Sequence, residues 1–169
     1  ISQTGAGGYY SVDHYTNLLL SSGAFTIEFW MKQTATQNNP MYIISKGSTA
    51  NVSSGLGWTV YRTQNNGIAF YDAQGNANTT TSGITLSADT WYHVAVVRNS
   101  TATNDTRIYI DGQIYANGTS TGNFTDTNTM FIATDRVATT GVTQFKGNLT
   151  DIRISNSAKY SSVRSEEHT

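Results

Sequence analysis

Near the middle of the chain, Trp91-Tyr-His-Val-Ala-Val-Val97 is apolar or aromatic on both sides of an extended backbone. Side chains alternate faces along a strand, so Tyr92, Val94 and Val96 share one side and Trp91, His93, Ala95 and Val97 the other. A strand without a polar face belongs in mid-sheet, under a second layer. Shortly after it, Thr106-Arg-Ile-Tyr-Ile-Asp-Gly112 alternates and ends in Asp-Gly, the pair preferred in tight hairpins. The two segments predict central strands of a packed antiparallel sheet.

Further strand signals come at short spacing, punctuated by turn residues. Phe25-Thr-Ile-Glu-Phe-Trp-Met-Lys32 sets Phe25, Ile27, Phe29 and Met31 against Thr26, Glu28, Trp30 and Lys32. Strands are expected at 9–12, 41–46, 58–62, 67–71, 79–86, 107–110, 113–115, 129–133 and 144–154. A polar loop is expected over 49–55, and hairpins at Asn65-Asn-Gly67 and Asp111-Gly112. No helix of useful length and no internal repeat is legible. The predicted class is all-β: a single-domain, two-sheet antiparallel β-sandwich over residues 1–163.

Composition narrows the function classes. Charged residues are 12% of the chain and the net charge is −1, which gives no basic field for a phosphate backbone, so nucleic acid is not expected as a partner. No apolar run approaches the roughly 20 residues of a membrane helix, and no membrane insertion is expected. Cysteine is absent, so disulfides and thiolate metal sites play no part. The chain starts at Ile1 without a signal peptide and is expected to be cut from a longer protein. Arg164-Ser-Glu-Glu-His-Thr169 is what one frame of a common short-read sequencing adapter encodes, and 164–169 is expected to be a non-native tail. Without Arg164, Glu166 and Glu167, the ten basic and eleven acidic residues become nine and nine.

Phe25-Thr-Ile-Glu-Phe-Trp30, Trp91-Tyr-His-Val94, Ile108-Tyr-Ile-Asp-Gly112 and Phe145-Lys-Gly-Asn-Leu-Thr-Asp-Ile-Arg-Ile154, in that order, resemble the laminin G-like branch of the concanavalin A-like jelly roll. The likeness covers nearly all of residues 4–160, and its ending, 151–160, is similar to versions in virus tail fibres and secreted bacterial adhesins. The resemblance implies a jelly roll that binds carbohydrate or protein, sometimes with calcium, at an extracellular or virion surface. It also implies that His93 is structural, hydrogen-bonded inside the sandwich. Hydrolases of the wider superfamily carry closely spaced Glu residues on one strand, whereas Glu28 stands alone here. Glycoside hydrolysis ordinarily needs two carboxylates, so no catalytic residue is expected.

Sugar rings stack on aromatic faces, and amides and guanidinium groups read hydroxyls. The expected ligand-binding cluster is Trp58, Tyr71, Asn76 and Arg136, with Tyr42 beside it. Trp58 and Tyr61 lie on opposite faces of one strand, so only one of them can be exposed. For calcium, the one cofactor considered, loop oxygens suit a hard cation, and the candidates are Asp72, Asp126, Asn128, Asp135 and Asp151. Against it, 51–57 supplies only Asn and Ser where relatives often supply an upstream Asp. His14, in a loop beside Asp13, has no second ligand at metal spacing. The expected function is non-catalytic recognition of a cell-surface glycan or protein within a larger surface or virion protein. The alternatives are a structural or homo-oligomerising domain of a tail fibre and, more remotely, a glycoside hydrolase.

Overall fold

The computed structural model describes residues 2–3, 8–34, 39–47, 57–134 and 143–160. The described strands, in chain order, are β1 (Ser2–Gln3), β2 (Tyr10–Val12), β3 (Phe25–Gln33), β4 (Met41–Lys46), β5 (Trp58–Arg62) and β6 (Ile68–Asp72). They continue with β7 (Ala77–Thr80), β8 (Trp91–Arg98), β9 (Thr106–Ile110), β10 (Gln113–Gly118), β11 (Met130–Ile132) and β12 (Gly147–Ser155). A single 3-10 turn, Thr16–Leu18, is the helical element among the described residues. The first sheet runs β1-β12-β3-β8-β9-β10 and the second β2-β11-β4-β5-β6-β7. All the strand pairs are antiparallel. The chain is an all-β sandwich of two stacked sheets.

The period-two pattern of β3 decides its place. Phe25, Ile27, Phe29 and Met31 are fully buried between the sheets, and each such burial contributes roughly 1.5–3 kcal/mol. β8 lies between β3 and β9 with Val94 opposite Phe29 and Ile110, in the middle of its sheet as its two apolar faces require. At Asp111-Gly112 both residues have positive φ, 49° and 81°, the backbone of a two-residue hairpin whose twist suits the flanking strands. The rings of Phe25, Phe70 and Phe124 meet at 5.6–6.0 Å.

The strand expected over 79–86 ends at Thr80, because the chain there leaves the second sheet for the first. Ser82 N–H donates to Tyr115 O, Leu86 N–H donates to Asn66 O, and the Leu86 side chain is buried. Those backbone groups find partners outside a ladder, so no strand forms. The loop expected over 49–55 lies outside the described residues, as does the tail 164–169.

The ends of β6 and β8 are tied by a buried polar hub. Asp72 accepts hydrogen bonds from Gly75 N (2.8 Å), Gly122 N (2.8 Å) and Ser120 Oγ (2.8 Å). Arg98 donates to Ser21 O, Gly23 O, Gly122 O and the same Ser120 hydroxyl. Its guanidinium lies 4.8 Å and 4.9 Å from the ring centres of Phe25 and Phe124. Position 122 must be glycine, since a Cβ would collide with the Asp72 carboxylate and the Phe124 ring.

Candidate functional site

Along β5 the side chains alternate Trp58 in, Thr59 out, Val60 in, Tyr61 out. Trp58 is 1% exposed and part of the core, so it offers no face for a sugar; here the structure corrects the expected cluster. Across the hairpin Val60 pairs with Phe70 and Tyr61 with Ala69. Because Phe70 is a core residue, Tyr61 is carried to the outer face. A signal is present in the sequence: if Ile68 and Phe70 point inward, hairpin register transfers that orientation to Val60.

The outer face of the second sheet collects three of the expected residues and two others. Tyr42 lies opposite Tyr61, with ring centres 6.0 Å apart. Tyr71 lies opposite Asn78 and Thr59. The Tyr71 hydroxyl donates to Asn76 Oδ1 at 3.0 Å and the Tyr61 hydroxyl to Asn78 Oδ1 at 3.1 Å. Burial, and after it the nearby Tyr71 phenol, raise the Tyr61 hydroxyl above the ordinary tyrosine range, which keeps it a donor. One row of this face reads Ser11, Phe131, Ser45, Thr59, Tyr71 and Asn78; the next reads Tyr42, Tyr61, Ala69 and Thr80. None of these positions carries a charge. Chemically the face offers aromatic rings, hydroxyls and amides, a set matched to a neutral polyhydroxylated ligand. Arg136, the fifth expected member, lies outside the described residues.

The described calcium candidates do not assemble into a site. Asp72 is fully buried, with its oxygens taken by the hub described above. Asp126 accepts from the backbone and side-chain nitrogens of Asn128, at 2.7 and 3.0 Å, which is turn chemistry. Beside it the Lys46 ammonium, 3% exposed as a residue, donates to Asn128 O at 2.8 Å and lies 3.4 Å from His14 Nδ1. Burial lowers the Lys46 pKa and Asp126 opposes that shift. A cation of the chain's own thus already faces Asp126. Asp151 sits at a bulge in β12, φ 50°, lining a groove with Val12 and Leu18. Asp135 lies outside the described residues. Among the described residues, no three of His, Cys, Asp and Glu come together to hold a metal, and the described candidates Asp72, Asp126 and Asp151 do not converge on a shared calcium site.

Glu28 and His93 occupy the outer face of the first sheet. His93 is therefore on the outside of the sandwich and its side chain is 22% exposed, which corrects the expectation of an interior histidine. Its position one residue from Val94 on an alternating strand dictates this. Glu28 Oε2 accepts from the Tyr160 hydroxyl at 2.6 Å and lies 3.4 Å from His93 Nε2, while Oε1 lies 4.0 Å from the Arg153 guanidinium. Its cross-strand neighbours are Ala95 and Arg153, so the register sets no second carboxylate beside it.

Among the described residues no helix is long and apolar enough to cross a membrane. A heptameric pentraxin from Limulus polyphemus superposes with a TM-score of 0.66 at 18% identity, over 95% of this chain and 76% of that one. A candidate carbohydrate-binding protein from Bacteroides ovatus gives 0.64 at 17% identity, over 95% and 46%. Domains LG4-5 of the mouse laminin α1 chain give 0.65 at 14% identity, over 95% and 44%. This chain thus spans less than half the length of the last two. At such identities the likeness is one of fold. No curated protein is a significant sequence match. A laminin G-like family model, described as concanavalin A-like lectin/glucanases superfamily, matches residues 4–162, and the chain belongs to that family.

Proposed function

We propose that this domain recognises carbohydrate on a cell surface without transforming it, as an extracellular or virion-surface module of a larger protein. The observation that carries the reading is the uncharged outer face of the second sheet, where Tyr42, Tyr61 and Tyr71 lie among asparagines and hydroxyls. Its ligand is a neutral glycan, with pyranose rings on the phenols and hydroxyls read by Asn76 and Asn78. Glu28 is engaged by Tyr160, His93 and Arg153, which supports binding without hydrolysis.

A glycan screen with the full chain tests this. Neutral glycans should bind, and Tyr61→Ala or Tyr71→Ala should weaken them about three- to tenfold, the scale of one aromatic contact, with the melting temperature of Tyr71→Ala within a few degrees of the parent. Glycan hits indifferent to both substitutions would overturn the site. Hydrolysis of a bound polysaccharide that vanishes in Glu28→Gln would overturn the non-catalytic reading.

A structural role, packing against copies of itself, is favoured by one observation: Tyr9, Tyr10 and Tyr15 are 51%, 52% and 64% exposed in and around the edge strand β2. Sedimentation separates the readings, since a stable oligomer silent in the glycan screen supports this one.

A further inference from the structure

The outer face of the first sheet is half covered and half open. Residues 156–160 cross it as a strap. The Thr26 hydroxyl donates to Ser157 O at 2.8 Å and accepts from Lys159 N at 2.9 Å, and Ala158 packs near Ala95, Val97 and Tyr109. Under the strap Thr26 and Glu28 are 1% and 8% exposed, though both point away from the core. The strap reaches Tyr160, which bonds to Glu28. Beyond that line the register places Trp30 opposite His93 and Lys32 opposite Trp91, with Thr150 and Asn148 alongside on β12.

Trp30 and Trp91 are 40% and 42% exposed. They occupy diagonal positions on neighbouring strands, a separation of about 7–8 Å, so two sugar rings of one chain can each meet an indole. Each ring has a neighbour, His93 tilted against Trp30 and the Lys32 ammonium over one face of Trp91. Trp30 and His93 lie 5.4 Å apart between centres, and the Lys32 ammonium is 5.5 Å from the Trp91 ring. The cations on this half of the face are Lys32 and Arg153, with the exposed Asp89, whose N–H donates to Gln33 O beside Lys32, and the exposed Asp111 at its rim. Glu28 is committed to three partners. Asp111 turns Oδ1 to the His93 backbone N–H, and Asp151 lines the groove beyond β12. Lys32 is the cation nearest the indoles, and the Arg153 side chain, 68% exposed, lies at the margin 4.0 Å from Glu28.

We propose that this half-open shelf is a second saccharide site, on the opposite side of the sandwich from the tyrosine face, and that it takes an acidic, carboxylate-bearing oligosaccharide. Sugar rings lie on Trp30 and Trp91, a carboxylate faces Lys32 with Arg153 at the margin, and Thr150, Asn148 and His93 meet hydroxyls.

The test is calorimetric titration of the full chain with oligogalacturonate and oligoalginate, set against neutral cello-oligosaccharide of equal length. An acidic probe should bind, and binding should weaken as ionic strength rises from about 0.01 to about 0.15 M, where the screening length falls from about 30 to about 8 Å. Trp30→Ala and Trp91→Ala, both at exposed positions, should each weaken it about tenfold, with unchanged melting curves. Lys32→Met should weaken acidic binding alone. Tyr71→Ala should leave it intact, so the two proposed sites fail separately. The shelf is overturned if neither acidic probe binds the folded chain, or if binding is indifferent to both tryptophan substitutions. The acidic class is overturned if neutral and acidic probes bind alike and Lys32→Met changes neither.

Discussion

Tyr61 shows what a single side chain contributes. Its phenol is half-buried on an outer face, donates to Asn78 and stands near Tyr71. Burial raises its pKa above that of an unfolded tyrosine, about 10, so the unfolded chain releases this proton first as pH climbs. The stability the protonated hydroxyl confers is complete below about pH 10 and is lost as pH rises through the folded-state value. An ultraviolet titration of the folded chain should contain a late step from Tyr61, and Tyr61→Phe should remove that step. A late step that survives in Tyr61→Phe would assign it elsewhere. The same residue marks a limit of sequence reading. Trp58 and Tyr61 sit on opposite faces of one strand, and alternation is symmetric between faces. The tie is broken by Phe70, paired across the hairpin with Val60. Asn76 was legible as a candidate amide and has φ 46° in the structure, whereas Asn78 became relevant only through its register with Tyr71.

At the scale of elements, two polar devices hold parts of the chain far apart in sequence. The Thr26 hydroxyl both donates to and accepts from the strap 156–160. Thr26→Val keeps the shape and deletes both bonds, so it should cost about 1–3 kcal/mol in urea denaturation. It should also open the covered half of the face; a loss near zero would mean the strap is held by its apolar contacts alone. Asp72 is the second device, joining the turn at Gly75 to the segment at Ser120–Gly122 beside Arg98. Asp72→Ala strands two backbone N–H groups and a buried guanidinium, and about 3–5 kcal/mol should be lost, as when one partner of a buried charge cluster is removed. Neither device was legible locally. An Asp before a turn looks the same whether it binds calcium, caps a turn or closes a buried network. Nothing near Thr26 announces that residues more than a hundred positions later will cover it.

Across the whole molecule, one core between two sheets serves two outer faces of different chemistry. The second sheet presents phenols, amides and hydroxyls without charge, and the first presents two tryptophans beside cations. The Lys46 ammonium already faces Asp126 and the Asn128 carbonyl. Millimolar calcium should therefore leave the melting temperature unchanged in a thermal scan, and a rise of several degrees would place a calcium site in the chain despite the geometry of the described carboxylates. The amino-acid sequence by itself determined the fold class, the central place of β8, the inward face of β3 and the hairpin at Asp111-Gly112. These follow from period-two alternation and turn chemistry, which act between residues a few positions apart. Only the tertiary structure decided which outward side chains stay open: Thr26 and Glu28 are covered while Trp30 is not. Alternation labels two faces of a strand, but exposure depends on what distant chain lies over each face, and that is settled only when the sheets stack and the strap crosses them.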